Sequence, residues 1–179
     1  MKEQIEKVVS VLVGLPLHPP SRLADMMAFG FGKTVTEINR DGRPVDVPEY
    51  SLHVQCHWRL VGARPKPRII AGRSDVFYPA DPSVKPWDES FHWDVSGANV
   101  CDRRMKLFME ENVSPPLIVE SIEADEIGSL RIRFSGGFVL ELFPDSSFRD
   151  EQDEDWRLLL PGPVRPHFVV CSSRTEYLD

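Results

Sequence analysis

The sequence predicts an α+β domain: a mostly antiparallel sheet of meanders and hairpins, with an N-terminal helix and one central helix packed on it. Three observations lead there. Residues 50–61 alternate apolar and polar positions without a break, the period of a strand with one wet face. Residues 117–143 hold three strand-like runs parted by turn residues. Two stretches, 2–13 and 99–111, repeat apolar residues at the helical period instead. The 179 residues suffice to bury a core as one domain, 1–179, and show no internal repeat and no Gly/Ser linker.

In 2–13, Ile5, Val8, Val9 and Leu12 share one face, and Gly14 and Pro16 end the helix. Strands are expected at 23–31 and 34–39, with Asp41-Gly42 turning a hairpin into the next run. In 50–61, Tyr50, Leu52, Val54, Cys56, Trp58 and Leu60 form the buried face. Ser51, His53, Gln55, His57 and Arg59 form the wet one. Segment 62–98 is irregular, with Pro65, Pro67, Pro79, Pro82 and Pro86, and holds strand-like pieces at 68–71 and 75–78. Asn99 is placed to cap helix 99–111, with Asp102 in the first turn facing the positive end of the helix dipole. Cys101, Met105, Phe108 and Met109 line its inner side, and Pro115-Pro116 prevents continuation.

Strands at 117–125, 129–134 and 138–143 form a meander whose last turn is constrained by register. A three-residue loop, Ser135-Gly136-Gly137, pairs Phe134 with Phe138, Ile132 with Leu140 and Leu130 with Leu142 on one face. It also sets Arg131 opposite Glu141 on the other face. A two-residue Gly-Gly turn would pair Arg133 with Leu140 and mix the faces. A final pair of short strands is expected at 156–160 and 167–171.

The formal net charge of −7 opposes binding to polyphosphate or anionic lipid, so neither a nucleic-acid nor a membrane partner is expected. The charge is uneven. Segment 58–74 has Arg59, Arg64, Lys66, Arg68 and Arg73 with no acid, whereas 145–155 has Asp145, Asp150, Glu151, Asp153, Glu154 and Asp155 against Arg149 alone. The plainer reading is two solvated segments; the sharper one is a dipolar surface that steers a charged partner. Three irregularly spaced cysteines, Cys56, Cys101 and Cys171, point to a reducing compartment with buried thiols. Met1–Lys7 lacks the positive region of a signal peptide, and no run approaches the roughly 20 apolar residues of a membrane helix. A cytoplasmic location is expected.

Several constellations invite chemistry and resist it. Gly30-Phe31-Gly32-Lys33-Thr34 suggests a phosphate loop, but the required upstream glycine is Met27 and the following residues are strand-like, so an edge strand with glycines is expected. His53-x-x-Cys56-His57 suggests a metal site. On a strand, however, the two histidines would lie about 13 Å apart and the cysteine would point the other way. Cys101 near a helix N-terminus, with His92 nearby, suggests an activated thiol, but it stands on the apolar stripe. Asp150–Asp155 lacks the glycine and spacing of a calcium loop. No metal, no cofactor and no identifiable catalytic residue is expected.

The strongest functional candidate is 75–94, where Phe77, Tyr78, Trp87, Phe91 and Trp93 crowd a Pro-rich irregular segment. Tyr78, Trp87, His92 and Trp93 are the expected binding residues, because aromatics with a polar handle make good interface anchors. The plainer reading has these rings packing over the end of the sheet.

Two runs, Leu52-His53-Val54-Gln55-Cys56-His57-Trp58-Arg59-Leu60 and Leu140-Glu141-Leu142-Phe143-Pro144-Asp145-Ser146-Ser147 with Asp155-Trp156-Arg157, resemble a family of small bacterial proteins with no known activity. The resemblance implies a bacterial cytosolic origin and transfers no functional residue. The function expected is a non-catalytic module that binds a protein or ligand, in the manner of toxin-immunity proteins. The alternative is a small hydrolytic enzyme using His92, Asp94 and Cys101, or a metal at His53 and His57.

Overall fold

The computed structural model describes residues 1–39, 41–62, 66–147, 154–162, 165–171 and 174–178. Among them the strands form two sheets, and neighbouring strands run antiparallel throughout. The first sheet contains β1 (Ser21–Leu23), β2 (Met26–Ile38), β3 (Pro44–Val54), β9 (Trp156–Leu159), β10 (His167–Cys171) and β11 (Arg174–Leu178), in that order. The second contains β5 (Arg68–Gly72), β4 (His57–Gly62), β8 (Phe138–Phe143), β7 (Leu130–Phe134) and β6 (Val119–Ala124). Two α-helices, α1 (Lys2–Val9) and α2 (Val100–Glu111), complete an α+β fold. The inner faces of the sheets meet in one core. Phe29 of β2 stands edge-on to Trp58 of β4 at 5.4 Å, and Phe31 lies parallel to Phe134 of β7 at 6.5 Å. Ile5 and Val9 of α1 and Cys101, Met105 and Phe108 of α2 join the same cluster.

Residues 50–61 do not form the single strand their alternation predicts. The chain leaves the first sheet after Val54 and enters the second at His57. The amides of Gln55 and Cys56 both donate to the carbonyl of Asp155, each at 2.9 Å, and this shared acceptor fixes the corner. Leu52, Val54, Cys56, Trp58 and Leu60 are nevertheless all buried. The alternation survives the corner because the chain bends around the core, so one set of side chains faces inward in both sheets.

The two strands expected at 23–31 and 34–39 are one, β2, preceded by the short β1. Phe31 pairs with Tyr50 and Thr34 with Pro48, so Gly32 and Lys33 together oppose Glu49. This is a bulge with Gly32 at φ +88, a backbone conformation that favours glycine. β2 is not an edge strand: β1 and a bridge from Leu17 to Phe31 cover its outer side.

The hairpin at Asp41-Gly42, the strand 68–71 and the helix behind Asn99 form as expected. The piece at 75–78 is instead part of a 3-10 turn, Arg73–Phe77, closed where the Gly72 amide donates to Asp75 Oδ2 at 3.0 Å. The N-terminal helix is α-helical only to Val9 and tightens into a 3-10 turn over Ser10–Leu12, while Ile5, Val9 and Leu12 keep the inward face. The meander adopts the three-residue loop, with Phe134↔Phe138, Ile132↔Leu140, Leu130↔Leu142 and Arg131↔Glu141. Among the described residues the last strands are three, not two: β11 is added at the edge, where sequence alternation is weak and Tyr177 and Leu178 stay exposed.

Arg59 pairs with Glu141, and Arg73 pairs with Asp25, so part of the basic segment is neutralised locally. Arg64, Pro65, Arg149, Asp150, Glu151 and Asp153 lie outside the described residues. Among the described residues, no helix is long and apolar enough to cross a membrane.

Candidate binding groove

Three segments meet beside the β1 edge of the first sheet: Pro19–Met27, the stretch around Asp94–Gly97, and one side of α2. They enclose a groove of about 730 Å³. Pro19, Pro20, Met27, Met105, Met109 and Val113 make its apolar surface. Met27 and Met105 are buried as its floor, whereas Val113 is exposed at its end. Each placement has a local cause. Met27 follows the inward alternation of β2, and Met105 and Met109 are one helical turn apart on α2.

The charged groups of the groove are Arg22, Asp94, Asp102, Lys106 and Glu110. Arg22 Nε and Nη2 donate to Asp102 Oδ1 and Oδ2, each at 2.8 Å, with side chains only 6% and 15% exposed. Arg22 also donates to the carbonyl of Ala24. Asp102 accepts two more hydrogen bonds, from the Gly97 amide at 2.8 Å and Asn99 Nδ2 at 3.2 Å. Burial pushes its carboxyl up, but the donors Arg22, Gly97 and Asn99 outweigh burial and hold it below the usual carboxylate range. The pair is therefore a charged strut rather than a proton carrier.

Asn99 connects the groove to the aromatic segment. Fully buried, it accepts from the Asp102 amide at 2.8 Å as the helix cap and donates to the Trp93 carbonyl at 2.9 Å. The Pro79–Asn99 bridge, the Ala80–Ala98 hydrogen bond and the Val100–Tyr78 hydrogen bond pinch residues 79–99 into a closed loop. On it, Trp87 is 81% exposed and His92 is exposed as well; Tyr78, in the stem, is exposed too. Trp93 is half-buried against Phe77, with ring centres 5.3 Å apart. Of the four expected binding residues, then, Trp87 and His92 project from the loop, Tyr78 is exposed at its stem, and Trp93 is half-buried at its base. His92 shares a smaller depression with Phe91 and Val95, and none of the four lines the main groove.

The enzymatic constellations are dispersed. Cys101 has no exposed surface, and burial, with Asp102 and Asp75 nearby, pushes its thiol up to about 12. Cys56 is pushed up to about 12 by burial too. His53 stands on β3 of the first sheet and His57 on β4 of the second; His57 meets Asp145 at 2.8 Å. Among the described residues, no group of three His, Cys, Asp or Glu side chains is arranged to hold a metal ion. Lys33, which suggested a phosphate loop, is exposed on the β2 bulge with strand on both sides.

Sequence reasoning placed Met105 and Met109 on the inner side of α2 but missed Arg22, Met27 and the groove itself. Arg22 and Asp102 are 80 positions apart, and no local pattern announces their pairing. The chain matches no family model, no curated protein and no solved structure.

Proposed function

We propose that this protein is a non-catalytic binding module of the bacterial cytoplasm and that its ligand occupies the methionine-lined groove. The observation that supports this most is the groove's make-up. It combines a volume within the roughly 300–1,000 Å³ usual for ligand sites with an apolar lining and a few convergent charges. Methionine suits such a site because its unbranched, polarisable side chain adapts to the shape of an apolar guest. Three free, buried cysteines are compatible with a reducing compartment.

The test uses methyl-13C methionine and a neutral apolar probe, N-phenyl-1-naphthylamine. The chain has five methionines. Saturable shifts are expected at the methyls of Met27, Met105 and Met109, with Met1 and Met26 unmoved. A folded sample in which those three methyls do not respond overturns the reading.

A further inference from the structure

Among the described residues the two sheets end in β1, β11, β5 and β6, and three of these edges are blunted. β6 is covered by the chain before it: Gly14 donates to the Val119 carbonyl and Val119 to the Leu15 carbonyl. β1 is only three residues long, and β5 is broken by a register shift against β4. Short strands, bulges and covering chain are common ways to keep a sheet edge from pairing. β11 has none of them. It runs beside β10 for five residues without a shift, and no described strand lies beyond it. The ladder sets which of its backbone groups face outward. Leu160 donates to the Pro166 carbonyl at 3.0 Å, in register with Leu158↔Phe168 and Trp156↔Val170. Phe168 and Val170 therefore turn their amides and carbonyls to β9, and His167, Val169 and Cys171 turn theirs to β11. Their partners Leu178, Glu176 and Arg174 answer them, which leaves the amides and carbonyls of Thr175 and Tyr177 pointing away from the sheet. Tyr177 is 56% exposed beside them, although its ring lies 5.3 Å from that of Phe168.

We infer that β11 is the edge through which two copies of this chain join, antiparallel about a two-fold axis at Thr175, into one continuous sheet. In that register Thr175 meets Thr175 of the second copy and exchanges two backbone hydrogen bonds with it. Arg174 then stands opposite Glu176 of the second copy, and the symmetry makes this unlike pair twice. Charge and backbone select the same register. An axis at Glu176 would set two carboxylates face to face, and the backbone groups of Glu176 already turn to Val169. An axis at Tyr177 would set Glu176 against Leu178. Within one strand, Arg174 and Glu176 lie on the same face, 3.8 Å apart, so both reach the row where the second copy's charges would stand. The strand thus supplies both halves of its own complement, which is why the partner is a second copy rather than an unrelated chain. Two five-residue strands bury less than the roughly 1,200 Å² of a standard interface, so the dimer is weak and depends on concentration. The groove lies at β1, the opposite edge of the same sheet, so this pairing is independent of it and leaves it open in both copies.

The experiment is sedimentation equilibrium of the full chain over a wide range of concentrations, where a reversible monomer–dimer equilibrium is expected. Arg174→Glu and Glu176→Arg each set two like-charged pairs across the axis, and each should weaken the dimer roughly tenfold or more. The double variant Arg174→Glu, Glu176→Arg restores unlike pairs and should recover most of the lost affinity, a rescue that damage to the fold could not produce. Hydrogen exchange should show the Thr175 amide gaining protection as the concentration rises. A chain that stays monomeric at every concentration overturns the inference. A dimer that both single variants form as well as the parent overturns it too, as does one in which the Thr175 amide gains no protection, because the contact then lies elsewhere. A double variant that associates no better than the single ones overturns the register and with it the inference.

Discussion

The guanidinium of Arg22 closes on the carboxylate of Asp102 through two hydrogen bonds of 2.8 Å, joining β1 to the first turn of α2 across 80 positions of sequence. Because Asp102 also holds the Gly97 amide and Asn99, this one carboxylate organises the helix start, the groove wall and the base of the aromatic loop. Arg22→Ala leaves a largely buried anion with fewer donors. It should destabilise the fold by about 3 kcal/mol in urea unfolding. The double variant Arg22→Ala, Asp102→Ala should cost less than the sum of the two single variants, because the pair acts as one unit.

Glu141 is buried on the outer face of the second sheet between Arg59 and Arg131, with Arg59 Nε at 2.5 Å. Burial raises its carboxyl, and the two arginines outweigh that, so the net shift is downward. A lowered carboxylate contributes stability above its unfolded pKa and loses it as the pH falls through the folded value. Glu141→Gln should therefore cost about 1–2 kcal/mol at neutral pH. The gap to the parent protein should close below about pH 4, as followed by denaturant melts across the acid range.

His53 runs the other way in chemistry and the same way in pH. Burial, then the positive charges of Arg157, His167 and Arg165, lower it from 6.5 to about 4. The unfolded chain binds this proton first, so the neutral His53 supports folding above pH 6.5 and that support drains away as the pH falls toward about 4. His53→Gln, which cannot be protonated, should show a flatter stability profile between those values. An unchanged profile would remove His53 as the cause.

Cys56, Cys101 and Cys171 are all buried, and burial raises each thiol. Titration with a disulfide reagent near pH 8 should find none of the three reactive in the native protein and all three after unfolding. Fast native reaction at Cys101 would revive the hydrolytic reading that its burial disfavours.

Gly128 sits at φ +91, and a Cβ there would fall 2.9 Å from Val170 Cγ1, while its carbonyl accepts from the buried Trp156 Nε1 at 2.8 Å. Gly128→Ala combines backbone strain with a clash in the core and should cost about 2 kcal/mol or more. Gly42→Ala, at φ +74 with nothing within 4 Å, should cost about 1 kcal/mol, from the backbone alone. Thermal melts of the two variants separate the contributions.

Much of the fold was readable in the linear order of residues because it depends on local rules. The 3.6-residue period placed both helices, and Asn99 capped α2 where expected. The meander register followed from keeping six apolar side chains on one side of a pleated sheet. The buried face held from Leu52 to Leu60, since alternation records inside and outside whatever sheet the strand joins, while Tyr50 is only half-buried and Ser51, expected on the wet face, is buried where β3 pairs with strands on both sides.

That same indifference explains the errors. Alternation does not say which sheet a strand enters, so the corner at Gln55–Cys56, fixed by the distant carbonyl of Asp155, was invisible. The glycines of β2 suggested an edge until Leu17 and β1 were seen to cover that side. The groove needed Met27, Met105 and the Arg22–Asp102 pair brought together from separate segments. Local periodicity settled helices, strands and their inward faces; only the long-range packing of two sheets and a helix created a concave surface, because concavity belongs to the arrangement of elements and not to any one of them.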